Sequence, residues 1–378
     1  MERTGFVRQS WATGRDCPVV PGRARRQAVI TERSTPVRLS LGLLVAVGLM
    51  AAAAAAPGPA LGQPARLNVG YSSLSAEQYP AWLAHDAGLF ERYGLRVQLI
   101  FFEGGTRVVQ AIVAGDVPIG QVAGPAVIHS HIAGSGVVML AAGSPTLPYW
   151  LMASKEITRP EQLRGKRVAI SLFGSSSDFI TRFVLRKLGL DPERDVAIIQ
   201  VGSLPARLAA MEARSVHATV LNPPVSFRAQ KQGYTILADL VKMGIVYANI
   251  APAAARAYIQ RHPEVIKAYL RAHIEAIARL KADRELGLRV LARYMRIADR
   301  EVMERTYEMF ATEAMFPRKQ YPPPEGVRVI LDGLAPRVPG AREARPEQFI
   351  ESRFIKELED EGFIDRVAPP GRLTEPAR

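Results

Sequence analysis

The feature that most constrains this chain is an alternation of short apolar runs with helical stretches, which begins near residue 67 and continues to about residue 250. Apolar runs this short, bounded by Gly, Pro, Asn or Asp, read as strands of a sheet covered on both faces. Strands are expected at 67–71, 97–102, 119–122 and 137–141, with helices at 76–93, 106–114 and 125–133 between them. Gly94 and the Gly115-Asp116 pair stand where helices need a stop. Strand–helix–strand alternation at this spacing predicts a parallel sheet with helices on both faces.

The texture repeats after a break at Tyr149-Trp150. Further strands are expected at 149–154, 167–171, 196–200, 218–221, 235–238 and 246–250, and helices at 176–188 and 204–213. The remainder reads as mainly helical: Pro263 suits a first helical turn, and Ile266, Tyr269, Leu270, Ile274, Ile277 and Leu280 recur at helical spacing. A last helix is expected at 349–361, and 367–378 reads as a disordered tail. The chain is thus expected to be a bilobed α/β protein. Residues 65–150 would start lobe 1, 151–247 would form an inserted lobe 2, and 248–366 would complete lobe 1 with C-terminal helices. Such a protein holds its ligand in the cleft, at the carboxyl ends of its strands.

Ahead of this lies a different texture. Arg33 and Arg38 precede the uncharged, apolar stretch 39–56, and Ala60-Leu61-Gly62 supplies small residues after two prolines. This is the secretory pattern, so residues 1–62 are expected to be a signal peptide cleaved after Gly62, with an uncleaved membrane anchor as the competing reading. The single cysteine, Cys17, falls in this leader, which leaves the mature chain without a disulfide, a thiol nucleophile or a Cys-based metal site. The formal net charge is +13, and without residues 1–62 there remain 41 basic and 33 acidic side chains, a net of +8. That excess suits encounter with anions, but no Lys/Arg tract interleaved with aromatics points to nucleic acid as a partner.

Candidate ligand contacts sit at strand ends. Ser72 and Ser73 follow the first strand and offer hydroxyl and amide donors, with helix capping as the alternative for one of them. Gly104 and Gly105 let a ligand approach the backbone, and Thr106 can cap its helix or touch ligand. Glu103 beside them favours a cationic group over an anion. Gly124, Ser144 and the aromatics Tyr149 and Trp150 close the first lobe's strands and begin the crossing. Gly174-Ser175-Ser176-Ser177 stands between a strand and an amphipathic helix, where free amides and the helix dipole cradle anions. The same residues also spell a capping box, Ser175-x-x-Asp178, and Asp178 competes for the dipole. Asn222, before two prolines, offers both donor and acceptor or simply forms a turn, and Tyr247 lies on the second crossing. The six histidines lack metal-ligand spacing, and no nucleophile elbow, P-loop or dinucleotide fingerprint is present. Neither a cofactor nor a catalytic group is expected.

Three segments, taken in order, resemble one family. Ala81-Trp82-Leu83-Ala84 with Gly88-Leu89-Phe90 and Gly94-Leu95 resembles its first helix. Gly115-Asp116-Val117-Pro118-Ile119-Gly120 resembles its turn into the third strand, with Pro118 where an acid is usual. Leu163-Arg164-Gly165-Lys166-Arg167-Val168-Ala169-Ile170 followed by Gly174-Ser175-Ser176 resembles the start of its second lobe, and His262-Pro263-Glu264 is also typical. The family is that of the nitrate/sulfonate/taurine binding proteins of ABC importers, which includes thiamine-precursor binders. The resemblance implies a type II-like periplasmic binding protein fold and a monomer in the periplasm. It also implies a small polar ligand, either a sulfonate-, taurine- or nitrate-like anion or an aromatic or pyrimidine-type compound, and an ABC permease as partner. Two other functions compete: an enzyme on this fold related to thiamine-pyrimidine synthases, against which the cysteine-free mature chain argues, and a periplasmic sensor.

Overall fold

Ten strands and the helices between them organise residues 65–369, the part of the chain that the computed structural model describes. These residues lie within one compact unit, and the signal-peptide reading for 1–62 falls outside them. Strands β1 (Ala65–Tyr71), β2 (Leu95–Phe101), β3 (Ile119–Val122), β4 (Val137–Met139) and β10 (Ala251–Ala255) form one sheet in the order β2-β1-β3-β10-β4. Strands β5 (Trp150–Ala153), β6 (Lys166–Ile170), β7 (Val196–Gln200), β8 (Ala218–Leu221) and β9 (Thr235–Asp239) form the other, ordered β7-β6-β8-β5-β9.

The sheets are mixed, not purely parallel as expected. β10 runs antiparallel to β3 and β4, and β5 runs antiparallel to β8 and β9. Each is the first strand after a crossing between lobes. A chain that crosses at the cleft arrives at the carboxyl end of its new sheet and can only enter against the strand direction. The expected strand at 246–250 is a loop instead, and its sheet position passes to the alanine-rich β10. Residues of this loop bond to the first crossing, Tyr247 N–H to the Pro145 carbonyl (2.9 Å) and Asn249 N–H to that of Ser144 (3.3 Å). Small side chains suit β10 because it is buried between two neighbours, whereas alanine carries little strand signal on its own.

Other boundaries differ in detail. The helix expected at 76–93 divides into a 3-10 turn at Ala76–Gln78 and helices Tyr79–Asp86 and Leu89–Arg92. The last helix among the described residues is Phe363–Val367, followed by a buried Ala368, so the start of the expected tail is ordered and packed; 370–378 lie outside the described residues. The predicted periodicity of Pro263–Ala282 matches its burial, which places Ile266, Tyr269, Leu270, Ile274, Ile277 and Leu280 in a core with Trp82, Phe310 and Phe354. A second core runs through both lobes. Val127, Ile330 and Tyr247 share it with Val168, Phe179 and Val184, and a Cβ on Gly333 would collide with the Phe179 ring. No helix among the described residues is long and apolar enough to cross a membrane.

Candidate functional site

Strand register brings the candidate residues together. β1 and β2 pair in parallel from Ala65↔Leu95 to Tyr71↔Phe101, so the loops that follow them project side by side. Gly104 donates its N–H to the Ser72 carbonyl (3.1 Å) and takes up φ +87°, a conformation that L-residues with a Cβ avoid. A Cβ there would also lie 3.1 Å from Ser171 Oγ of the opposite lobe. The rims therefore touch, and between them remains a cavity of about 50 Å³. At roughly 10–15 Å³ for each water, that is room for a few waters or one small anionic group.

Three helix N-termini converge on this cavity: Gly105 of Gly105–Ala114, Ser175–Ser177 at Ser176–Lys187, and Ser203-Leu204 at Leu204–Glu212. Their free amides and aligned dipoles give the enclosed space a positive character. Hydroxyls line it as well. Ser177 Oγ accepts from the Ser171 N–H (2.8 Å), and the Ser171, Ser175 and Ser177 hydroxyls lie within 2.8–3.1 Å of one another. On the facing lobe, Gln78 Nε2 donates to Ser73 Oγ (3.2 Å) and Ser72 Oγ (3.4 Å).

The strongest electrostatic feature is Arg207, which no sequence signal singled out. It is 4% exposed, lines the cavity, and has no carboxylate partner among the described residues. One Nη donates to Thr219 Oγ1 (3.1 Å) and to the Val220 carbonyl (2.7 Å), while Nε has no partner. Burial pulls its pKa down to about 10. A buried cation without a counter-ion is costly, and an anion in the cavity would offset that cost. The available clue was position: Leu204, Leu208 and Met211 mark the buried face of this helix, and Arg207 falls on the same face.

Behind the cavity wall lies a second unanticipated group, Glu77. Its carboxylate accepts from Tyr149 hydroxyl (2.8 Å), from Ser75 Oγ (3.4 Å), and from the side-chain amides of Asn222 and Asn249. Burial pushes its pKa up to about 7, against the pull of these donors, and burial together with Glu77 holds the Tyr149 phenol well above its ordinary range.

Nine of the expected residues line the cavity: Ser72, Ser73, Gly104, Gly105, Tyr149, Ser175, Ser176, Ser177 and Asn222. Six do not. Thr106 donates to the Phe173 carbonyl across the lobes (3.1 Å), outside the cavity. Gly174 gives its amide to Asp178 (3.0 Å), so that N–H is unavailable to a ligand. Gly124 is packed under Ala248 and Ile330, and Ser144 supports the second crossing through its carbonyl. Trp150 turns away to pack on Phe227, with ring centroids 5.6 Å apart, and Tyr247 is buried against Phe179 at 5.7 Å. The capping box does not form: Ser175 has no side-chain cap bond, its N–H goes to the Leu172 carbonyl (3.2 Å), and Asp178 takes the Gly174 amide instead. Asp178 is also paired with Arg182 (2.6 Å) and Arg337 (3.5 Å), so its charge is met before it can act on the cavity. Among the described residues, no group of three or more His, Cys, Asp or Glu could hold a metal ion.

Comparison with known proteins agrees with this architecture. The taurine-binding periplasmic protein of Escherichia coli K12 is 28% identical over 218 residues, 57% of this chain. The match spans 66% of that protein's own length, just under two-thirds. The alkanesulfonate-binding protein from Xanthomonas axonopodis pv. citri, solved bound to MOPS, superposes with TM-score 0.64 at 19% identity, over 77% of this chain and 99% of its own. A desulfurization enzyme shares the fold at TM-score 0.56 and 13% identity, over 78% of this chain and 99% of its own. The family model described as "NMT1-like family" matches residues 61–291, more than half the sequence and most of both lobes, and the chain belongs to that family.

Proposed function

We propose that this chain is the periplasmic substrate-binding component of an ABC importer, that it works as a monomer, and that it captures a small oxyanion-bearing solute of the sulfonate class without chemical change. The observation that carries the reading is Arg207, a buried cation lining a cavity ringed by serine hydroxyls and helix N-termini, with no counter-ion and no partner for its Nε among the described residues. A sulfonate offers three acceptor oxygens to these donors. The taurine-binding relative supports the same class. The small enclosed space favours an anionic head group over an aromatic or pyrimidine ring, which would require wider lobes. Delivery to a permease would follow from lobe closure, which presents the two rims as one surface.

The test is a thermal-shift panel of taurine, ethanesulfonate, nitrate, bicarbonate and a pyrimidine. A ligand at 100 times its Kd stabilises by about 2.7 kcal/mol, enough to raise the Tm by several degrees. An unchanged Tm with every sulfonate would refute the reading. So would release of sulfite from a sulfonate on incubation, because a binding protein returns its ligand intact.

A further inference from the structure

Glu77 is placed where it can decide what the cavity wall offers a ligand. Asn222 lines the cavity, one N–H of its Nδ2 is given to Glu77, and its Oδ1 has no partner, so the amide turns its donor end toward Glu77 and its acceptor end away. Asn249 is held the same way, with Nδ2 on Glu77 and Oδ1 unpartnered. An ionised carboxylate can only accept, so it orients every amide around it donor-inward. An acceptor then faces the cavity, which opposes an anion. A protonated Glu77 has one O–H to donate and needs an acceptor. Rotation of the Asn222 amide supplies its Oδ1 to that O–H and turns Nδ2 toward the cavity.

We propose that Glu77 is a positioning residue that sets the hydrogen-bonding polarity of Asn222, so that an anion entering the cavity is bound together with a proton taken up by Glu77. This deepens the oxyanion-binding reading and rests on it. The groups facing Glu77 are Ser75 from its own turn, Tyr149 and Asn249 from the two crossings, and Asn222 from the end of β8. The Tyr149 and Tyr247 phenols are held high by burial, and Arg207 stays charged at neutral pH. None of these titrates near pH 7, whereas Glu77 does.

The experiment is calorimetry of the full chain with ethanesulfonate, which carries no N–H or O–H donor, in two pH 7 buffers of different ionisation enthalpy. Uptake of roughly half a proton is expected, with affinity falling about tenfold from pH 6 to pH 8. The isosteric variant Glu77→Gln already carries a donor, and it should bind ethanesulfonate without proton uptake and with a flat pH profile. Taurine, whose ammonium can meet an Asn222 acceptor, should lose less affinity with rising pH than ethanesulfonate does. Binding without proton uptake in the parent chain, or an unchanged pH slope in Glu77→Gln, overturns the role of Glu77 and leaves the oxyanion reading intact. Absence of sulfonate binding at every pH overturns that reading, and this inference with it. The parent-chain measurement decides the matter even if the variant does not fold.

Discussion

Replacing Arg207 with methionine separates a ligand-holding role from a structural one. Methionine has a similar length and fills the space without charge. A hydrogen bond from a charged donor contributes about 1.5–3 kcal/mol, so if Arg207 donates one to the ligand as proposed, its loss should weaken sulfonate binding by roughly 10- to 150-fold. The effect on the ligand-free fold runs the other way. The fall of the Arg207 pKa from 12.5 to about 10 corresponds to ~3 kcal/mol of unfavourable burial for the charged form, at any pH where the unfolded chain is also charged. Against this stand its bonds to Thr219 and Val220, each contributing about 1 kcal/mol, and Thr219 Oγ1 keeps its own bond to the Ala169 carbonyl (2.8 Å). The ligand-free variant should therefore unfold at the same temperature as the parent or slightly above it. Titration calorimetry with the best ligand of the panel, beside scanning calorimetry of the free protein, reads both quantities. Affinity within twofold of the parent would mean that Arg207 does not hold the ligand. A loss of 2 kcal/mol or more in the free protein would mean that it is a structural residue.

Glu77 also predicts a pH dependence of stability. Its carboxyl titrates at about 7 in the fold against 4.5 ordinarily, so between those values the folded chain holds a proton that the unfolded chain has released. Stability should fall by ~3 kcal/mol as pH rises through that window and level off above it, and Glu77→Gln should lack that slope; equal denaturation midpoints for the parent at pH 4.5 and pH 8, once corrected for the variant's own trend, would contradict this. Gly143→Ala should be far more damaging than an exposed substitution. Its Cβ would stand 1.6 Å from the Ile250 carbonyl oxygen in a backbone at φ +56°, where the two crossings meet. A loss above about 3 kcal/mol in chemical denaturation is expected, and a loss below 1 kcal/mol would show that the crossings are loosely packed.

Features written in local grammar were legible in the sequence. Strand ends followed by glycine or serine and then a helical period announced Ser72-Ser73, Gly104-Gly105 and Ser175–Ser177, and these do meet at one cavity. What escaped depends on three-dimensional direction. Strand polarity at the crossings follows from where the chain enters each sheet, so no periodicity in 149–154 or 246–250 reveals it. Whether Tyr149 and Trp150 line the cavity follows from their alternation along one strand entry: Tyr149 lies toward Glu77 and the cavity, and Trp150 toward Phe227 on the other face.

Charge was the hardest property to read, because an ionic residue means nothing until its partner is known. Glu103 and Asp178 are close in sequence to the donors and weighed against an anion. In the fold, Asp178 is occupied by Arg182, Arg337 and the Gly174 amide, and Glu103 is a rim residue with 42% side-chain exposure, 4.0 Å from Arg107. The two charges proposed to govern the cavity, Arg207 and Glu77, come from helical segments in opposite lobes. Each looked like an ordinary helical charge. What distinguishes them is burial: among the described residues, Arg207 has no counter-ion and Glu77 is met only by neutral donors. On the proposed reading, a cation that waits for a negative partner, and a carboxyl group that can surrender its charge when that partner arrives, would let this cavity accept an anion without burying two like charges side by side.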